Sequence, residues 1–185
     1  MTTIPTEIRT PRLLLRAPRP GDGAIVNAAI KESFERLTVW MPWAKTMPTL
    51  EQSEENLLDA CEKWKSKEEL RILVFNPDGT TLIGSSGLHE INWSIPKLEI
   101  GAWVKTGHEG KGLMSETLNA VTRFAFQELH AKRIDAVCDP KNLRSKNMIE
   151  RLGFQFESKV MRRDDEMLMY YRTNIDGLPP LDVTW

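Results

Sequence analysis

The chain has little cysteine, little histidine and almost no net charge, and each shortage closes off a class of function. Cys61 and Cys138 are its two cysteines. They stand far apart and outside any metal-ligand spacing, so reduced thiols are expected rather than a disulfide framework or a zinc site. The histidines, His89, His108 and His130, are equally scattered, and no metal is expected. Lys and Arg number 25 against 26 Asp and Glu, a formal net charge of -1. Such a chain has no global basic field, and nucleic acid is not an expected partner. No stretch approaches the roughly 18 to 20 apolar residues of a membrane span. The opening "MTTIPTEIRTPRLLLR" lacks the basic segment and long apolar run of a secretory leader. A cytoplasmic protein with no membrane partner is the expectation. Internal repeats and low-complexity segments are also missing.

What is present is enough for one domain over residues 1–185, with a core from about 8 to 173 and an irregular tail over 176–185. "RLLLRAP" (Arg12 to Pro18) reads as a first strand. Asp22 is placed to cap a helix running through Ile25, Ala28 and Ala29. "LTVWMPWAKTMP" (Leu37 to Pro48), with two prolines and two tryptophans, reads as a loop. Thr49 and Gln52 form a capping box, and the helix behind them is expected to bury Leu50, Leu57, Leu58, Cys61 and Trp64. "RILVF" and "TLIGSSGLHEI" are strands joined by the turn "NPDG". "LEIGAWV" (Leu98 to Val104) is the next strand. Met114, Leu118, Val121 and Ala125 then recur at helical spacing as a core-facing stripe. "RIDAVCD" is a short strand, a short helix from Leu143 stops at Gly153, and "FQFESKVM" with "EMLMYYRT" makes a closing hairpin. The order is β-α-α-β-β-β-α-β-α-β-β, a mixed α/β domain around one sheet.

Between "LEIGAWV" and the long helix lies "GHEGKGLMSE", Gly107 to Glu116. A glycine-rich turn from a strand into a helix lines up backbone N–H groups at the helix N-terminus, a ready site for phosphate oxygens. A plain helix start with no ligand is the other reading. The spacing fails the Walker loop, because Gly-Lys comes three residues after Gly107 and Gly112 follows it. It fails the dinucleotide pattern too, because Ser115 stands where a third glycine is needed.

A second segment, "DPKNLRSKNMIERLGF" (Asp139 to Phe154), follows a strand about thirty residues later. Together "GAWV…HEGKGLMSE" and "NLRSKNMIERLGF" resemble the GNAT superfamily of acyl-CoA-dependent N-acetyltransferases. "TPRLLLRAPRPGD" and "VWMPWA" make the chain similar to its RimJ/RimL-type branch, the ribosomal-protein N-terminal acetyltransferases. The resemblance covers roughly residues 8–173. One departure is Gly107, which stands where the superfamily often has Gln or Arg.

The resemblance implies a single mixed, mostly antiparallel central sheet with flanking helices, the GNAT fold. It implies acetyl-CoA as co-substrate, its pyrophosphate on the N–H groups of Glu109, Gly110, Lys111, Gly112 and Leu113. Trp103 and Val104 would meet the pantetheine arm where their strand splays from the next, and an N–H near Val104 would steady an oxyanion. Asn142 would hydrogen-bond the cofactor arm, although Asn before a helix is also an ordinary N-cap. Ser145 would protonate the departing thiolate, or simply top its helix. Asp164, nineteen positions later, stands where the branch has a glutamate base. Glu99 and Glu90 are rivals for that role, and "RRDDE" also reads as a polar hairpin turn. Trp40 and Trp43 either anchor the core or wall an acceptor groove. The implied acceptor is a primary amine, a protein N-terminus first, with a homodimer compatible with the family. A small amine is the second reading, its cleft lined by Glu51, Glu54, Glu55 and Asp59 if these are not a solvated helix face. An acyl-CoA-binding module without turnover is the third.

Overall fold

The computed structural model of the chain describes residues 4–185. Its elements are β1 (Glu7–Arg9), β2 (Leu14–Arg16), α1 (Gly23–Trp40), α2 (Leu50–Ser66), β3 (Leu70–Phe75), β4 (Leu82–Asn92), β5 (Lys97–Val104), α3 (Leu113–Gln127), β6 (Arg133–Cys138), α4 (Leu143–Arg151), β7 (Gln155–Arg162) and β8 (Asp165–Arg172). The strands form one sheet in the order β1-β2-β3-β4-β5-β6-β8-β7. Only β5 and β6 run parallel, so the sheet is mixed and mostly antiparallel.

Alternation along the strands divides the core in two. Ile72 and Val74 of β3 point to a cluster with Leu98 and Ile100 of β5 and with Leu118, Val121, Phe124 and Ala125 of α3. Leu73 and Phe75, on the opposite face, meet Val26, Ala29, Ile30 and Leu37 of α1 and Leu57 of α2. Helices α1 and α2 therefore cover one face and α3 the other. The stripe at Leu118, Val121 and Ala125 is buried as the spacing predicts, while Met114 is half-buried.

Several local expectations need correction. Strand β1 was not expected; it precedes the predicted first strand and pairs with it, Ile8 opposite Leu15. Helix α1 continues through Trp40, so the first part of the predicted 37–48 loop is helical. Leu37 explains this: it falls eleven residues after Val26, on the buried stripe, and carries the helix past the point where prolines were expected to stop it. Asp22 precedes α1 but its side chain does not cap it. That carboxylate is taken by Arg16, with two contacts of 2.7 Å. Glu54 of α2 does the work instead, accepting from the N–H groups of Gly21 at 2.6 Å and Gly23 at 2.8 Å. On α2 the buried stripe is Ser53, Leu57 and Ala60, and Leu50 and Leu58 face outward. The Thr49–Gln52 capping box is formed as expected.

The tail forms no helix or extended strand, yet it is held along its length. Arg9 and Thr184 exchange two backbone hydrogen bonds at 2.8 and 3.0 Å. The Pro179 carbonyl accepts from Asn119 at 2.9 Å and Arg123 at 3.0 Å, and Trp185 packs on Phe124 with centroids 5.7 Å apart. This strap is why α3 is buried on nearly every side. No helix among the described residues is long and apolar enough to cross a membrane.

Candidate active site

The site begins where the parallel β5–β6 ladder stops. β5 and β6 pair from Lys97↔Arg133 to Ile100↔Ala136 and no further. From Gly101 to Val104, β5 keeps β4 alone as its partner, while Val137 and Cys138 pair only with β8. The strands part after Ile100 and leave a cleft. One backbone edge of Gly101–Val104, including the sequence-predicted Trp103 and Val104, faces it without a strand partner. Gly84 fixes the far side of this segment: a Cβ there would overlap the Trp103 carbonyl oxygen. On β5, Leu98 and Ile100 enter the α3 core, and Glu99 and Trp103 point to the other face, as alternation predicts.

Beyond Val104 the chain turns into α3 through Gly107, Gly110 and Gly112, with φ of 87°, 73° and 74°. All three lie in the left-handed region that glycine enters without a Cβ penalty. The first helical bond is donated by Glu116 to Gly112, at 3.0 Å. Among the described residues no protein acceptor meets the N–H groups of Glu109, Gly110, Lys111, Gly112 or Leu113. The predicted anion site is thus a run of free donors at the positive end of a 15-residue helix. The cations beside it are braces. Lys111 Nζ donates to the Gly107 carbonyl at 2.7 Å, and Arg12 donates to the Lys111 carbonyl at 2.9 Å and to Glu116 at 2.6 Å. Burial, then the charges of Lys111 and Lys105, push the His108 imidazole below its ordinary value.

Asn142 caps α4, its Oδ1 accepting from the Ser145 N–H at 3.1 Å. The capping reading therefore holds, and the Asn142 amide nitrogen remains outside that bond. The helix ends in a Schellman pattern, with Gly153 donating to Glu150 and Phe154 to Ile149. Ser145 stands in the first turn of α4, close to the Cys138 thiol at the end of β6. Burial raises the Cys138 thiol pKa, against the lowering effect of the Ser145 hydrogen bond. Tyr170 lies beneath, donating to Glu150 at 3.0 Å, and burial followed by that bond pushes it up to about 12. So high a value makes it a poor acid near neutral pH.

Of the three candidate bases, Glu99 and Glu90 border one concavity and Asp164 stands apart. Glu99 lies on the sheet face beyond the reach of α1 and α2, hydrogen-bonded to His89 at 3.2 Å and ion-paired with Arg162 at 2.8 Å. Burial alone would raise its pKa, but the His89 hydrogen bond and charge, then Arg162 and Lys97, outweigh it and hold it low. Glu99 borders a concavity of about 860 Å³ that Arg162, Glu90, Trp93 and Glu68 also line. Asp164 occupies the exposed tip of the β7–β8 hairpin. Arg163 and Asp164 have φ of 50° and 74° between the paired Arg162 and Asp165, so the hairpin-turn reading of "RRDDE" holds. Glu90 has φ of 48°, at the irregularity that interrupts β4 after His89.

Trp40 ends α1, and Trp43 packs on Trp103 with centroids 6.3 Å apart. Both of the first two are partly exposed. Two carboxylates of the acidic α2 face are engaged, Glu54 capping α1 and Asp59 pairing with Lys63 at 2.7 Å, while Glu51 and Glu55 are exposed. Sequence reasoning missed Arg162 and Cys138, whose roles arise from strand neighbours distant in sequence. Among the described residues no cluster of His, Cys, Asp and Glu has the geometry of a metal site.

A strand edge that leads into a glycine turn and a donor-rich helix start is an arrangement able to receive phosphate oxygens. The chain belongs to the acetyltransferase (GNAT) domain family, which matches residues 12–155. It is 32% identical over 110 residues to the probable N-acetyltransferase YjcK of Bacillus subtilis, covering 59% of this chain and 61% of that protein. It is 34% identical over 85 residues to the ribosomal protein uS5-alanine N-acetyltransferase of Escherichia coli, covering 45% and 44%. The match thus spans between two fifths and two thirds of these relatives. Among solved structures, the RimL ribosomal L7/L12 α-N-protein acetyltransferase in complex with coenzyme A superposes with a TM-score of 0.82. That likeness has 19% identity and covers 94% of this chain and 98% of that one. The eight-stranded sheet with four flanking helices is the GNAT fold.

Proposed function

We propose that the protein transfers the acetyl group of acetyl-CoA to a primary amine by direct attack, and that the amine is a protein N-terminal α-amino group. The observation that carries this reading is the free N–H run from Glu109 to Leu113, set at the end of the unpaired edge of β5. The N–H groups and helix dipole hold the pyrophosphate, and the Gly101–Val104 edge holds the pantetheine arm beside Trp103 and Val104. Asn142 adds its free amide nitrogen. The amine nitrogen attacks the thioester carbonyl, an N–H near Val104 steadies the oxyanion, and the C–S bond breaks. The Ser145 hydroxyl passes a proton to the leaving sulfur. The amine gives up its proton, directly or through water, to Asp164 or Glu99. An α-amino group with a pKa of about 7.7 to 8.0 needs only modest help of this kind.

The protein acceptor is supported by the activity of the Escherichia coli relative and by the RimL likeness, and the location that goes with it is the cytoplasm. The small-amine reading is weakened, because Glu54 of the acidic helix caps α1 and Asp59 pairs with Lys63. The test is thiol release from acetyl-CoA with N-terminal peptides beginning with Ser, Ala or Met, with polyamines and with aminoglycosides. Release with peptides alone supports the proposal, and release with small amines alone replaces the acceptor. Acetyl-CoA binding without any release favours a binding module.

A further inference from the structure

A carboxylate stands inside the loop that is meant to receive an anion. Glu109 Oε2 accepts the Gly107 N–H at 2.7 Å, so the side chain folds back along its own loop. Its Oε1 forms an ion pair with Arg36 of α1, and the Glu109 side chain is only 17% exposed. Arg36 belongs to a short row on α1 that grips the same segment. Ser33 Oγ accepts the Thr106 N–H at 2.9 Å, and Glu32 pairs with Lys105 at 3.0 Å. Positions 32, 33 and 36 share one helix face, and 105, 106 and 109 span the turn out of β5.

The electrostatic problem is plain. The N–H groups of Glu109 to Leu113 attract a diphosphate, and a bare carboxylate among them repels it. Arg36 cancels that charge where it sits. It also keeps Glu109 folded against Gly107, with the φ of 87° that starts the turn. We infer that Arg36 is a positioning residue for acetyl-CoA, acting through Glu109 to make the loop receptive to the cofactor phosphates. The inference rests on the acetyl-CoA reading above and adds α1 to the binding machinery.

The experiment is calorimetric titration of acetyl-CoA into the full chain, the Arg36→Ala and Arg36→Lys variants, and the double variant Arg36→Ala with Glu109→Gln. Glutamine keeps the acceptor for the Gly107 N–H and removes the charge. Arg36→Ala should weaken binding about tenfold, as loss of one partner of a half-buried pair does, and Arg36→Lys should retain most of it. The double variant should return to within about threefold of wild type, because the unpaired charge is gone. In turnover assays the Arg36→Ala defect should fall on KM for acetyl-CoA, with kcat at saturation within about twofold. A role in folding alone predicts neither the rescue nor the split. If Arg36→Ala binds like wild type, or the double variant binds no better than Arg36→Ala, the inference is overturned and the acetyl-CoA reading stands. If wild type itself does not bind acetyl-CoA, both fall.

Discussion

The Glu99 carboxylate meets the Arg162 guanidinium at 2.8 Å, joining the middle of β5 to the last residue of β7 across 63 positions of sequence. With His89 on its other oxygen, Glu99 stays ionised and tied to the hairpin that carries Asp164. Its pKa in the folded chain is lower than in the unfolded one, where it is about 4.3. The pair therefore contributes its full stability above that value and loses it as pH falls through the lowered folded value. Urea unfolding between pH 3 and 7 should show wild type losing stability below about pH 4.5, and Arg162→Ala losing less over the same interval. Arg162 is half exposed, so the difference is about 0.5 to 1 kcal/mol. The same variants sort the bases. Glu99→Gln or Asp164→Asn, whichever removes the working base, should lower kcat/KM about a hundredfold, and Arg162→Ala should raise the acidic pKa of the rate profile if the base is Glu99.

Ser145 lies close to the Cys138 thiol at the end of β6, and under the proposed reaction only the serine acts as an acid. Ser145→Ala should lower kcat about a hundredfold and leave the acetyl-CoA dissociation constant within about threefold. Cys138→Ala should retain most of kcat. The comparison separates proton donation from packing, because both variants disturb the same contact. Equal losses would make the contact structural.

Apart from β1, the element order was legible because periodicity carries it: strands buried on one face or both, a helix stripe at Leu118, Val121 and Ala125, and glycine punctuation at Gly112 and Gly153. The splay between β5 and β6 was implied by resemblance alone, since nothing in "LEIGAWV" marks Ile100 as the last paired residue. Local capping rules misread Asp22. They cannot see Arg16, which takes its carboxylate, or Glu54, which arrives from another helix. Leu50 and Leu58 were assigned inward by helical spacing, whereas the buried stripe of α2 is Ser53, Leu57 and Ala60. The site followed the same division. The glycine turn before α3 is local and was readable. The partners that set its charge and that of Glu99, namely Arg36 and Arg162, come from far along the chain.

Arg172 ends β8 with its guanidinium 5% exposed, donating to the carbonyls of Leu152, Asn174 and Asp176. It joins the end of α4 to the start of the tail, and Gly153 leaves room for it, since a Cβ there would come within 2.6 Å of Nη1. Arg172→Ala strands three carbonyls at once and should cost about 2 to 4 kcal/mol. For a chain of this size that lowers the melting temperature by very roughly 4 to 16 °C. Arg172→Lys should recover only part, because one ammonium cannot reproduce the fork. Differential scanning calorimetry on the two variants checks the order.

Gly84 ties the fold to the site most directly. It pairs with Val104 across the β4–β5 ladder, and any Cβ there would overlap the Trp103 carbonyl and press on the Val104 Cα at 3.1 Å. These are backbone atoms, so no side-chain rotation relieves the contact. The strand end has to move, and it is the same end that lies open to the cleft and leads into the phosphate turn. Gly84→Ala should therefore act on function more than on stability. Ile83 and Leu82 keep their places in the two cores, and the expected loss is about 1 to 3 kcal/mol for overpacking. Acetyl-CoA affinity and kcat should both fall by at least about tenfold, because a displacement of about 1 Å disturbs positioning of the reacting groups. Gly87→Ala, with the nearest backbone atom at 3.1 Å on the Leu70 side, is the control on the same strand. It crowds β3 rather than β5, and less severely, so it should cost less stability and spare acetyl-CoA binding. Equal loss of binding in both variants would mean that the open end of β5 has no special part in holding the ligand.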